Sequence, residues 1–324
     1  MTAVAPTLQM FFTDRLTRQR QVSPQTIASY RDSLQLLLRF VHDTSGTEPA
    51  QLGWDELDEP VISAFLDHLQ VVRGNSVRTR NLRLTAIRSL FRYAALRHPE
   101  HAAVIQRVLA IPAKRADQPT ITFLTRAESA ALIDAPDLAR WEGRRDHTWL
   151  ALAIQTGLRV TELIGLNCGD ITLGDGPRLD CEGKGRKHRA VPLTSGTQQL
   201  LKTWMTERSG HPDDPLFPTR TGRRLGRDAI EQRLRVHAST ASRTCPALAG
   251  KHLHPHALRH TCAVALLQAG VDTSVIALWL GHADVRSTNP YLHADLTIKE
   301  KALAMTTQPH IAPGRYRPTD TLLA

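Results

Sequence analysis

The sequence predicts a mainly α protein with one small antiparallel β-sheet, folded as two domains. Three observations carry that expectation. Apolar residues recur at three- and four-residue steps on both sides of a proline- and charge-rich stretch, PAKRADQPT at 112–120. Helix-capping residues stand at the head of several of these runs. Only one region, 178–193, reads as β structure: two short runs joined by a basic, glycine-containing loop. The expected organisation is a helical domain at 1–112, a linker at 113–120, an α+β domain at 121–305 and a flexible tail at 306–324.

In the first domain, Ser23-Pro24 supplies an N-cap followed by proline at the first helical position. Behind it Ile27, Tyr30, Leu34, Leu37, Leu38 and Val41 form one apolar face. Pro60 opens a second helix carrying Ile62, Phe65, Leu66 and Leu69. Ser76 caps a third, with Leu84, Ile87, Phe91 and Ala94 as its stripe and Arg80, Arg83, Arg88 and Arg92 expected largely away from it.

Beyond the linker, Thr125-Arg-Ala-Glu128 has the capping-box pattern, and a helix follows. A longer helix at 143–156 stops at Gly157, so Arg159 falls just after a break, where a rigid turn can aim it. RLDCEG and RAVPL pair as strands around GKGRKH. Helices resume at 195–208, 227–238, 255–269 and 273–280; 293–305 has modest helical character.

Composition favours a polyanionic partner. Lys+Arg exceeds Asp+Glu by 41 to 31, and seven arginines but no acidic residue lie between Arg73 and Arg97. Arg78, Arg80, Arg83, Arg88 and Arg92 are the candidates there for backbone phosphate contacts. Four cysteines without CxxC spacing read as reduced thiols, not as a zinc site or disulfide framework. No apolar run approaches the ~20 residues of a membrane span and no secretory pattern opens the chain, so a cytoplasmic protein is expected.

The chemistry-bearing residues lie in the last 170 or so positions: Arg159 in TGLRVTEL, Lys184 in EGKGRKHRAVPL, His256 and Arg259 in HPHALRHT, His282 in WLGH, and Tyr291 in NPYLH. Cations neutralise phosphoryl charge and an imidazole moves a proton. A deprotonated phenol is a covalent nucleophile. Of four tyrosines, Tyr30 and Tyr93 lie in the N-terminal third and Tyr316 in the polar tail. There is no carboxylate cluster for Mg²⁺, no phosphate loop ending in Lys-Ser/Thr and no HExxH pair. His252, His254 and His256 alternate, but Pro255 interrupts them and no thiol or carboxylate completes a shell. The set implies phosphoryl transfer with no metal or other cofactor.

The order Arg, Lys, His-x-x-Arg, His, Tyr, with these neighbours, resembles the tyrosine recombinase (phage integrase) family. Arg159 and Glu162 fit its TGLRxxEL box, 256–261 its HxLRHT box, and Tyr291 stands nine residues after His282. The resemblance covers about 23–305 and is most specific in the second half. It implies a helical, SAM-like core-binding domain joined to an α+β catalytic domain, acting on double-stranded DNA as a homo-tetramer on two sites, with accessory DNA-bending proteins as further partners. By that resemblance Arg159 and Arg259 grip the scissile phosphate, Glu162 orients Arg159, and Lys184 is the general acid, with Lys187 the alternative in the same loop. Arg186, Lys187 and Arg189 contact backbone phosphates. His256 assists proton movement at the nucleophile, His282 donates to a phosphoryl oxygen, and Tyr291 forms a 3′-phosphotyrosyl bond that conserves energy for rejoining. Pro290 departs from the apolar residue many relatives carry. Integration, excision and transposon movement all fit. A type IB topoisomerase would share most of this chemistry, and a silent DNA-binding relative would share the fold.

Overall fold

The computed structural model describes residues 2–116, 121–183, 188–282, 288 and 291. The chain divides into two compact units, Met1–Gln118 and Pro119–Ala324.

In the first unit, α1 (Val4–Met10) runs straight into a π-helical segment, Phe11–Gln19. Neither was expected from the sequence. α2 (Pro24–Ser45) has the anticipated Ser23 cap, whose Oγ accepts the Thr26 N–H at 3.3 Å, and it ends at Gly46 with φ +73°. α3 (Glu59–Val71) begins one residue before Pro60, because Asp58 caps it through the Val61 N–H at 3.0 Å. α4 (Val77–Ala94) starts behind the Ser76 cap, and α5 (Ala102–Ala110) completes the unit. Phe11, Leu37, Trp54, Ile62, Phe65 and Phe91 are buried together, with Trp54 edge-on to Phe91 at 5.4 Å.

The arginines of α4 do not all face outward, which corrects the sequence reading. Arg80 is only 4% exposed. Steps of four and three residues place it at the head of the stripe Arg80, Leu84, Ile87, Phe91, Ala94. Its guanidinium donates to the Pro112 carbonyl at 3.1 Å and to Asn81 Oδ1 at 3.2 Å. Arg83 donates to Ser33 Oγ at 2.9 Å, and Arg88 to the Ile111 carbonyl. Arg78 and Arg92 are exposed.

The second unit begins with α6 (Arg126–Asp134), closed by the reciprocal Thr125–Glu128 capping box. α7 (Trp141–Thr156) starts two residues earlier than expected and ends at Gly157 as expected. The short α8 (Val160–Gly165) follows, capped by Arg159 and Glu162. The sheet has order β1 (Ile171–Thr172), β2 (Arg178–Glu182), β3 (His188–Pro192), all antiparallel. Leu179 opposes Val191 and Cys181 opposes Arg189, on the face that turns inward. Then come α9 (Ser195–Arg208), α10 (Arg227–Ala241), α11 (Pro255–Gln268) and α12 (Thr273–Leu280). α8 and β1 are too short for a period to announce them.

Trp149, Leu152, Leu179, Leu201, Trp204 and Leu234 share one core. A fully buried carboxylate, Asp146, links α7 to α10: it accepts from Trp149 Nε1 at 2.9 Å, His237 Nε2 at 2.7 Å, and Arg145 and Arg233. A second apolar cluster packs Cys262, Val264 and Leu267 of α11 on Ile276 and Leu280 of α12, together with Tyr291. No helix among the described residues is long and apolar enough to cross a membrane.

Candidate active site

The last carbonyls of a helix have no partner within it and carry the negative end of its dipole. At the end of α12 three successive carbonyls each take an arginine. Trp279 O accepts from Arg189 Nε at 3.1 Å, Leu280 O from Arg259 Nη2 at 2.6 Å, and Gly281 O from Arg159 Nη2 at 3.2 Å. His282 is the next residue, so the site is assembled around this helix end.

Two glycines allow the approach. Gly157 ends α7 with φ +64°, and a Cβ there would stand 2.6 Å from Leu280 Cδ2. Its carbonyl accepts Arg259 Nη1 at 2.7 Å. Gly281 also has φ +64°, and a Cβ there would meet Arg189 Nη1 at 2.8 Å.

Glu162 joins two of the arginines. It accepts the Arg159 N–H at 2.8 Å and Arg159 Nη1 at 2.7 Å, and it takes Arg189 on both oxygens at 3.1 and 2.9 Å. Burial pushes its carboxyl up, but the bonds from Arg189 and from the Arg159 backbone outweigh that and hold it below the usual range. Arg189 therefore departs from its expected place among the phosphate contacts: its side chain is 11% exposed and its guanidinium is bonded inside the protein. The sequence held a signal for this. Arg189 and buried Val191 share one face of a period-two strand.

Arg259 differs from its neighbours. It is 1% exposed, and among the described residues no carboxylate pairs with it; it donates to two neutral carbonyls and also bonds the Tyr291 phenol. Burial, then the nearby Arg159 charge, pulls it down to about 10. It remains a cation at neutral pH, with the Glu162 carboxylate near enough to act on it through space but no carboxylate bonded to it.

The histidines and the phenol complete the set. His256, Arg259 and His260 stand at steps of three and four on α11, so one helix face presents all three. His256 and His260 meet edge-on at 4.7 Å between centroids. Tyr291 is 3% exposed, and its Oη lies 3.1 Å from His260 Nδ1. Its ring stacks at 6.3 Å on that of His282, whose Nδ1 meets Thr288 Oγ1 at 3.0 Å. Burial raises the Tyr291 phenol against the opposing pull of Arg259. Burial and then Arg259 lower His256 and His282, the latter to about 4. Among the expected residues, then, Arg159, Glu162, Arg259, His282 and Tyr291 converge, with His256 against His260. His260 was missed by sequence reasoning, although its four-residue step from His256 places it on the same face. Lys184, Arg186, Lys187 and Pro290, like the tail containing Tyr316, lie outside the described residues. Among the described residues no group of three or more His, Cys, Asp or Glu could hold a metal ion.

Comparison with known proteins follows the same lines. The phage integrase family model matches residues 122–297, and the phage integrase N-terminal SAM-like domain matches 11–98. A Sinorhizobium fredii protein named integrase/recombinase y4rC is 49% identical over 322 residues, covering 99% of this chain and 97% of its own. The tyrosine recombinase XerD of Pseudomonas putida is 32% identical over 289 residues, covering 87% and 91%. The crystal structure of the XerH site-specific recombinase bound to palindromic difH substrate superposes with a TM-score of 0.71 at 24% identity, over 88% of this chain and 81% of that one, a likeness of fold. With family models over both units and a relative 49% identical over 99% of this chain, the chain belongs to the phage integrase family and is a tyrosine site-specific recombinase.

Proposed function

We propose that this chain cuts and rejoins double-stranded DNA through a covalent bond between Tyr291 and the 3′ phosphate. The observation that carries the reading is Arg259, a buried guanidinium bonded to two carbonyls and to no carboxylate. A buried cation is stabilised by an anion held against its donors, and a phosphodiester is an anion that fits a planar fork.

In this reading Arg259 and Arg159 hold the two non-bridging oxygens, and the three arginines hung from α12 keep both forks in register without reorganisation as charge develops. Glu162 orients Arg159. His256 assists in the proton chemistry beside the nucleophile, and His282 donates to a phosphoryl oxygen. Tyr291 Oη bonds to phosphorus as the bond to the 5′ oxygen breaks; Lys184 protonates that oxygen. Rejoining reverses these transfers with no ATP. The unit 1–112 binds the duplex, 113–120 links it to the catalytic unit 121–305, and 306–324 is a tail. Arg78, Arg92, Arg186 and Lys187 meet backbone phosphates, and four copies act on two DNA sites in the cytoplasm, in integration, excision or transposon movement.

The test is strand exchange. Purified protein is crosslinked by its own chemistry to genomic fragments, the attachment points are sequenced, and two copies of the recovered site are supplied with EDTA present. Reciprocal exchange between them is expected. Relaxation of supercoils without exchange would identify a topoisomerase-like enzyme, and binding without attachment a silent relative.

A further inference from the structure

We infer that His260 is the proton acceptor for Tyr291, a role the sequence reading gave to His256. The inference rests on the strand-cleavage reading above and deepens it. Three observations carry it. His260 Nδ1 lies 3.1 Å from Tyr291 Oη, within hydrogen-bond reach of the proton that must leave. The phenol is 3% exposed, so bulk water has little access to that proton. The His260 ring is fixed on both sides, edge-on to His256 at 4.7 Å and tilted against Tyr291 at 5.4 Å.

The groups facing His260 are His256, His254 and Arg259 from its own helix and its approach, and His282 and Tyr291 from beyond it. Burial and then His256 lower His260 to about 4, with His254, Arg259 and His282 adding to the effect. It is therefore neutral at physiological pH, and in the tautomer protonated at Nε2 its Nδ1 is the acceptor for the phenol O–H. As the Tyr291 oxygen bonds to phosphorus, its proton passes to His260 Nδ1. The bond to the 5′ oxygen breaks, and that oxygen takes its proton from the general acid. In rejoining, the 5′ hydroxyl attacks and gives its proton back to the residue that served as general acid, the tyrosine oxygen departs, and His260 returns its proton to that oxygen. Protons balance over the cycle. The acceptor sits beside a cation and other imidazoles, so a retained proton is unstable there and is readily given back.

The test is single-turnover attachment to a nicked suicide substrate carrying the recovered site, followed from pH 5.5 to 9. His260→Gln keeps a polar group of similar reach but cannot take the proton. It should bind DNA as the unaltered chain does, attach about 10²–10⁴-fold more slowly, and gain rate steadily with pH as hydroxide replaces the acceptor. Ring-fluorinated tyrosine at 291, whose phenol ionises nearer neutrality, should restore much of the lost rate in His260→Gln. His260→Asn serves if the Gln variant fails to fold. Unaltered rate and pH profile in His260→Gln would overturn the assignment, as would fluorotyrosine rescue of His256→Gln but not of His260→Gln. Failure of the unaltered chain to attach at all would instead sink the cleavage reading.

Discussion

Arg259 is buried with neutral partners, and much of the surrounding chemistry answers to it. Its charge helps keep His256, His260 and His282 uncharged, and His260 and His282 each fall from 6.5 to about 4. Their effect on stability has a definite sign. Between pH 6.5 and about 4 the unfolded chain takes up protons that the folded site refuses, so stability falls as pH drops through that window and is flat above it. Urea unfolding of the catalytic unit across pH 7.5 to 4.5 checks this, and replacing both histidines by Gln should flatten the slope. Glu162 acts in a lower window. Its folded carboxyl lies below 4.5, so its contribution is complete above that value and fades as pH falls through the folded value. Glu162→Ala leaves Arg189 buried without its carboxylate and should destabilise by about 3–5 kcal/mol. Because one bond set is shared, the double variant with Arg189→Ala should lose clearly less than the sum of the two single losses. Additive losses would mean the pair is energetically independent.

At the scale of elements, the corrected orientation of α4 divides its arginines. Arg78 and Arg92 are exposed, so neutralising both should flatten the slope of log K against log salt by up to about 1.8 units, with little change in preference for a target site. Arg80→Ala should act differently: it leaves the Pro112 carbonyl without its donor and lowers stability by about 1–3 kcal/mol. A large salt effect from Arg80 alone would reverse this division. The caps at Ser23, Ser76 and Thr125 were legible because each is a local bond between a side chain and a nearby backbone N–H. The helix break at Gly157 was legible for a similar reason, since a left-handed residue favours glycine. The inward turn of Arg80 and Arg189 was harder to see. Residue type argued for solvent, while helix and strand periods placed both on buried faces, and the partners, Pro112 O and Glu162, are distant in sequence. The bond between His260 and Tyr291 spans 31 residues, beyond what helix spacing alone discloses.

At the scale of the whole molecule, family models account for both units, and two of the motifs that pointed to the family bring Arg159 and Arg259 to the end of α12. Sequence order therefore disclosed the class of reaction, whereas the apparatus that holds it could be seen only in three dimensions: three consecutive carbonyls, two close-approach glycines and a shared carboxylate. Cleavage and rejoining both turn on Tyr291 as the nucleophile at phosphorus. The most direct measurement is to trap the protein on a nicked suicide substrate, digest the complex and identify the DNA-bearing residue by mass spectrometry. The expected result is a 3′-phosphotyrosyl bond at Tyr291, formed with EDTA present and lost in Tyr291→Phe while DNA binding persists. An adduct on any other residue, or one that survives in Tyr291→Phe, would contradict it.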